Sequence, residues 1–243
     1  MNNVLVIGAS SGIANALINT FIEDNNIDQI VAISRGESNK KLADHPKVVW
    51  KISNYSESSI ETIISELKNF QSSFIKVFIC NGVLHTNEIY PEKKIEDLSA
   101  VHLQEIFQIN TIVPSLWLKM LRRLLLGKKI CQVVLFSARI GSIGDNQLGG
   151  WYSYRASKAA LNMLVKTASI EYARRAKNVQ LVLFHPGTTD TLLSKPFQAN
   201  VPKEKLFTTE FVAKQLLSVL SDRINENNKK ILFVDWDNKL IPW

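Results

Sequence analysis

The 243-residue sequence is poor in cysteine: Cys80 and Cys131 stand alone, each inside an apolar run. Two such residues do not make a disulfide framework, and they read as buried free thiols, which gives a cytoplasmic expectation. No stretch approaches the ~18 uninterrupted apolar residues that a membrane span needs. The start, Met1-Asn2-Asn3-Val4, lacks the basic, apolar and small-residue succession of a secretion signal. Blocks of like charge are missing too. The net charge of +7 is spread over short pairs such as Lys40-Lys41 and Arg122-Arg123, with no basic stripe interleaved with aromatics. That excludes a nucleic-acid footprint, and part of the positive charge can serve an anionic cofactor. There is no internal repeat, low-complexity linker or composition break, and no metal site is expected. With 46% hydrophobic and 21% charged residues, the chain reads as one globular domain over 1–243.

What is present is alternation. Short apolar runs at Val4–Ile7, Gln29–Ile33, Val48–Trp50, Phe74–Ile79, Gln132–Phe136, Val179–Phe184 and Lys230–Val234 read as strands. Between them lie helical patterns at Ile13–Ile22, around Ile60–Leu67, from Leu98 to Leu126, from Tyr152 to Arg175 and from Phe211 to Leu220. Pro114 falls inside the third of these and is expected to kink it. Alternation of this kind predicts an α/β fold, a doubly wound parallel sheet of about seven strands with helices on both faces.

The first strand runs into Gly8-Ala9-Ser10-Ser11-Gly12-Ile13-Ala14, and a helix follows at once. A glycine turn between strand and helix lets a backbone approach a pyrophosphate, which then sits on the positive helix end. Gly8, Ser10, Ser11, Gly12 and Ile13 are therefore candidate cofactor residues. The second strand ends Ser34-Arg35, without the acid that would bind ribose hydroxyls. A guanidinium there can hold a 2′-phosphate through paired charge-assisted bonds, so NADP(H) is favoured over NAD(H), with Ser34 and Arg35 at the phosphate.

Tyr154 and Lys158 are four apart on a predicted helix and share a face. Free tyrosine ionises near a pKa of about 10, and a neighbouring ammonium lowers that value. Tyr154 can then pass a proton to or from a substrate oxygen. Tyr152 is a rival phenol, but the residue four on from it is Ala156.

In this order, a three-residue gap between glycines, Asn110, a strand ending in serine, and Tyr154-x-x-x-Lys158, the sequence resembles the short-chain dehydrogenases/reductases over nearly its whole length. The stretch from Ser137 to Asn162 looks closest to sniffer-like carbonyl reductases and relatives of the C-signal precursor. The resemblance implies hydride transfer between a nicotinamide and a small carbonyl or alcohol. It implies that Asn110 holds a water leading to Lys158, and that Lys158 holds ribose hydroxyls. It places Asn81 and Gly82 beside the cofactor, although the family's Asn-Asn-Ala-Gly is here Ile79-Cys80-Asn81-Gly82. It assigns Pro186, Gly187, Thr189 and Thr191 to the nicotinamide end. It also implies a homodimer or homotetramer through the two long helices.

One departure matters. Aligning Gly141 with the family's glycine puts Ala138 where the catalytic serine stands. Ser137 is the first substitute and Ser142 the second, and Ser137 can serve only if the strand has already turned. The missing serine also leaves open a cofactor-binding sensor or signalling protein that turns over poorly.

Overall fold

The alternating pattern forms a seven-stranded parallel sheet in the order β3-β2-β1-β4-β5-β6-β9, in a computed structural model describing residues 1–36, 39–224 and 231–243. Along the chain come β1 (Asn3–Ile7), α1 (Gly12–Glu23), β2 (Gln29–Ser34), α2 (Lys40–Ala43), β3 (Val48–Ile52), α3 (Glu57–Glu66) and β4 (Phe74–Ile79). Then follow α4 (Ala100–Phe107), α5 (Val113–Leu125), β5 (Cys131–Phe136), α6 (Tyr152–Arg175) and β6 (Val179–His185). A two-residue pair, β7 (Thr188–Thr189) with β8 (Leu206–Phe207), precedes α7 (Thr209–Arg223) and β9 (Leu232–Asp235). Lys230, expected to open the last strand, lies outside the described residues.

The strands read as continuous apolar runs because both sheet faces are covered. Successive side chains point to opposite faces. Leu5 and Ile7 join Val77 and Val133 under Trp117 and Leu121 of α5 and Leu161 and Val165 of α6. Val4 and Val6 join Phe78 and Val134 under Leu17 and Phe21 of α1 and Val212 and Leu216 of α7. Chain order runs outward from β1 through β2 to β3 on one side, and from β4 to β9 on the other. The reversal between β1 and β4 opens a crevice at the carboxyl ends of the strands.

The stretch from Leu98 to Leu126 is not one kinked helix. α4 and α5 are separated by a π-helical turn, Gln108–Ile112, and Pro114 sits in the first turn of α5. The helical path is continuous through this turn, and Pro114, which has no N–H to give and whose ring crowds the carbonyl four residues back, that of Asn110, is accommodated where the π turn widens the helix.

Both cysteines are free, and burial pushes Cys131 up to about 12 and raises Cys80 as well. Among the described residues no helix is long and apolar enough to cross a membrane, and no cluster of metal-ligating side chains occurs.

Candidate active site

The crevice is a cavity of about 1090 Å³ that runs from the β1–α1 turn to the segment after β7. Gly8 has φ +78°, and a Cβ on it would come within 3.0 Å of the Asn81 nitrogen and the Cys80 carbonyl carbon. Only glycine lets β1 leave the sheet this close to the end of β4. Ser11 caps α1 with its own hydroxyl, accepting from the Ala14 N–H at 3.3 Å. Gly12 faces Thr209 and Thr191, whose methyl groups would stand 3.1 and 3.4 Å from an added Cβ. Ser10, Ser11, Gly12, Ile13, Thr191 and Thr209 line this part of the wall.

Arg35 lines the cavity beyond the glycine turn, is exposed, and has no hydrogen-bond or ion-pair partner among the described residues. Ser34 is elsewhere. It is fully buried, accepts from Trp50 Nε1 at 3.0 Å and donates to the Gly36 carbonyl. On the opposite wall Asn81 and Gly82 follow β4. Among the described residues the buried Asn81 Oδ1 has no hydrogen-bond partner, an acceptor open to a donor from within the cavity. Gly187 has φ +72°, and a Cβ there would strike the Phe207 ring at 2.6 Å. This glycine lets the chain turn over the β7–β8 pair, bringing Pro186, Gly187, Thr189 and Thr191 to the wall. The cradles at Gly8, Gly12 and Gly82 and the orphaned Asn81 oxygen fit a dinucleotide laid across the β1/β4 reversal.

Tyr154 and Lys158 emerge from the first turns of α6. Lys158 is almost fully buried and donates to the Phe136 carbonyl at 2.8 Å. Its ammonium lies 5.9 Å from the Tyr154 ring centre. Burial lowers Lys158 to about 8 and raises Tyr154. The ammonium expected to lower the phenol does not offset its burial, which favours the neutral hydroxyl. The Tyr154 hydroxyl has no hydrogen-bond partner among the described residues.

Asn110 is fully buried behind this pair and does not reach the cavity wall. Its side chain clamps Val83, accepting from its N–H at 2.7 Å and donating to its carbonyl at 2.8 Å, and reaches Ser157 Oγ at 3.1 Å. The π turn aims Asn110 at the loop after β4. A Cβ on Gly82 would stand 3.5 Å from Lys158 Nζ and 3.7 Å from Asn110 Oδ1. Asn110, Gly82 and Lys158 are therefore one contiguous unit.

Gly141 packs directly on α6: a Cβ on it would lie 2.7 Å from that of Lys158. Ala138 is pressed against Tyr154 and Leu84, with Ile140, Trp151, Leu193 and Phe197 around them. Ser137 is on the cavity wall, but its hydroxyl donates to Asn162 Oδ1 at 2.6 Å. Ser142 is buried off the cavity wall and accepts from the Asp145 N–H at 3.1 Å. The chamber in front of Tyr154 is aromatic: Trp151 lies 5.1 Å from Phe197 and 6.3 Å from Tyr154, and His85 lies 5.6 Å from Phe197.

A family model described as short chain dehydrogenase matches residues 2–202. The chain belongs to this family. Like its members it is an oxidoreductase. A 1-hydroxy-2-glutathionyl-2-methyl-3-butene dehydrogenase of Rhodococcus sp. (strain AD45) is 28% identical over 243 residues, covering 100% of both chains. A benzil reductase ((S)-benzoin forming) of Bacillus subtilis (strain 168) is 25% identical, covering 94% of this chain and 97% of its own. The C-signal protein of Myxococcus xanthus is 29% identical over 60% of this chain and 82% of its own. Among solved structures, the carbonyl reductase Sniffer of D. melanogaster superposes with a TM-score of 0.84 at 20% identity, over 100% of both chains. A short-chain dehydrogenase/reductase from Burkholderia multivorans with bound NADP superposes at 0.82 and 20% identity, over 100% of this chain and 99% of its own.

Within this short chain dehydrogenase the sequence reading missed several wall residues. Asn15, Asn39 and Thr209 join the dinucleotide end, and His85, Trp151 and Phe197 join the chamber. No local motif marks them in the sequence. The segment from Leu192 to Leu206 contributes Leu192, Leu193, Phe197 and Val201 to the cavity wall.

Proposed function

We propose that the protein is a one-domain, cytoplasmic, NADP(H)-dependent carbonyl reductase, running as an alcohol dehydrogenase in reverse. The observation that carries this reading is the Tyr154 hydroxyl, without a hydrogen-bond partner among the described residues, at an aromatic chamber, with the buried Lys158 ammonium 5.9 Å from its ring. The turn from Gly8 to Ile13 holds the pyrophosphate, and Arg35 holds the 2′-phosphate. Lys158 and Asn81 take ribose hydroxyls, and the segment Pro186–Thr191 with Gly82 flanks the nicotinamide, whose reduced ring supplies the hydride. Tyr154 donates its proton to the substrate oxygen, and Lys158 stabilises the phenolate that remains. Asn110 holds the Val83 loop against Lys158. Ser34 supports the β2 end from beneath, through Trp50 and Gly36, without touching the cofactor.

The chamber supports a flat aromatic carbonyl as substrate, stacked between Trp151, Phe197 and His85. Ser137 is the hydroxyl nearest in sequence to the alanine that replaces the usual one, and its proton is engaged with Asn162. Tyr154 is then the principal donor to the carbonyl oxygen. Losing one oxyanion donor typically costs about 10²–10³ in rate. An electron-poor carbonyl offsets that loss, and the relatives named for benzil reduction agree with the choice. The test is NADPH oxidation across aryl ketones, aryl diketones, aliphatic aldehydes and quinones. In this panel Ser137→Ala and Ala138→Ser report which position the carbonyl oxygen senses. The second reading, a cofactor-binding sensor with little turnover, is favoured by Ala138 alone. It predicts tight NADPH binding with no substrate in the panel above background.

A further inference from the structure

The helix that carries Tyr154 and Lys158 begins without a cap of its own. Its N-cap residue is Trp151, whose side chain offers no hydrogen bond to the first turn. The approach to it is a run of three left-handed residues, Gly149, Gly150 and Trp151, at φ 64°, 63° and 53°. The third is costly, because a left-handed backbone crowds any side chain beyond Cα. Something outside the helix must hold that turn.

That group is Glu92, in the long connection between β4 and α4. Glu92 is 5% exposed, and among the described residues no cation lies within ion-pair distance of it. Its partners are instead the start of α6. The Glu92 carbonyl accepts from the Trp151 N–H at 2.6 Å, Oε2 accepts from the Ser153 N–H at 3.1 Å, and Oε1 accepts from the Ser153 hydroxyl. A buried carboxylate without such partners would be expelled or neutralised, and the positive end of a long helix is a place that compensates it. From the other side Arg155 donates to the Gly150 carbonyl at 2.9 Å and to the Gly149 carbonyl at 3.0 Å. The turn is thus clamped on both faces. It leaves the Trp151 ring edge-on to Tyr154, which follows directly after Ser153.

We infer that Glu92 is a positioning residue for the reaction: by capping α6 from a distant loop it fixes both the Tyr154 hydroxyl and the Trp151 wall of the chamber. The inference rests on Tyr154 being the proton donor. A misplacement of about 1 Å costs about 100-fold in rate.

The test compares Glu92→Ala and Glu92→Gln in the full chain, reading kcat, KM, NADPH dissociation constant and thermal midpoint. In Glu92→Ala kcat falls by about 100-fold while NADPH affinity stays within about twofold, because the phosphate-binding turn is on other elements and Lys158, a turn further along α6, is held by the Phe136 carbonyl and not by the cap. Glu92→Gln, whose amide can still accept from the Ser153 N–H, restores most of kcat. Wild-type kcat in Glu92→Ala overturns the inference. So does a parallel loss of NADPH affinity, which would mark general damage, and so does a Gln variant no better than Ala. If Glu92→Ala does not fold, Ser153→Ala replaces it: reduced kcat at unchanged NADPH affinity supports the inference, and unchanged kcat overturns it. Tyr154→Phe serves as the control. Its full activity would sink the assignment of the proton donor, whereas an inactive Tyr154→Phe beside a normal Glu92→Ala would sink only the role of Glu92.

Discussion

At the scale of single residues the site is governed by desolvation. Tyr154 and Lys158 are buried together, and burial favours the neutral form of each. For a proton donor to a carbonyl this is the useful direction, since Tyr154 holds its proton until an oxygen develops charge beside it. Lys158, lowered to about 8, is the group that titrates near neutrality. It is charged below that value and neutral above it, and only the charged form stabilises a phenolate or makes a charge-assisted bond to ribose. In the reduction direction kcat/KM for NADPH is therefore expected to be flat from pH 6 to about 8 and to fall above it. A profile still flat at pH 10 would remove Lys158 from the free-enzyme ionisations. Arg35, without a hydrogen-bond or ion-pair partner among the described residues, makes a second prediction. Arg35→Ala weakens NADPH by about ten- to a hundredfold, the equivalent of one charged hydrogen bond, and leaves NADH nearly unchanged. Titrating both cofactors into both proteins measures this, and equal losses would reduce Arg35 to a surface cation.

At the scale of elements, the strands were legible in the sequence because each is buried on both faces, so apolar runs such as Val4–Ile7 leave no ambiguity. Their ends were less so: β6 runs on to His185, and the β7–β8 pair carries too few residues to show a period. The long helical pattern hid its own break. Pro114 marked the irregular place, and the form the irregularity takes, a π turn at Gln108–Ile112 around Asn110, carries no period that a sequence shows. The juxtaposition of Tyr154 and Lys158 could be read from a spacing of four because both lie on one helix. The serine could not, because Ser137 and Ala138 are adjacent and only their contacts tell them apart: Ala138 packs on Tyr154, while the Ser137 hydroxyl is taken by Asn162. Glu92 was invisible for a different reason: its partner Ser153 is 61 positions away. The π turn yields a stability prediction. Asn110→Ala leaves the Val83 N–H and carbonyl without their partners, at about 1–3 kcal/mol for each unsatisfied group. For a chain of this size that lowers the thermal midpoint by about 2–4 °C per kcal/mol, and calorimetry would show it. An unchanged midpoint would mean that water replaces both bonds.

At the scale of the whole molecule, the crevice between β1 and β4 gathers residues from both halves of the chain into one cavity. The glycine turn comes from the first tenth of the sequence, and Thr209 from near its end. The outer face of the long helices bears a separate mark. Met163 and Ile170 lie two turns apart on α6 and are 66% and 58% exposed, and Val101 of α4 is 69% exposed. Apolar side chains aligned in this way favour pairing with a second copy. Sedimentation velocity is expected to give a dimer or tetramer, and Met163→Glu with Ile170→Glu to shift it toward monomer. A wild-type monomer at micromolar concentration would contradict the pairing. The account as a whole stands on one hydroxyl group. Tyr154→Phe keeps the ring and its packing against Ala138 and Leu84 and removes only the proton. Steady-state NADPH oxidation by this variant with an aryl ketone should fall by about 10²–10⁴, the usual worth of a positioned acid, with NADPH affinity preserved. Turnover within a few-fold of wild type would contradict the assignment of Tyr154 as the proton donor.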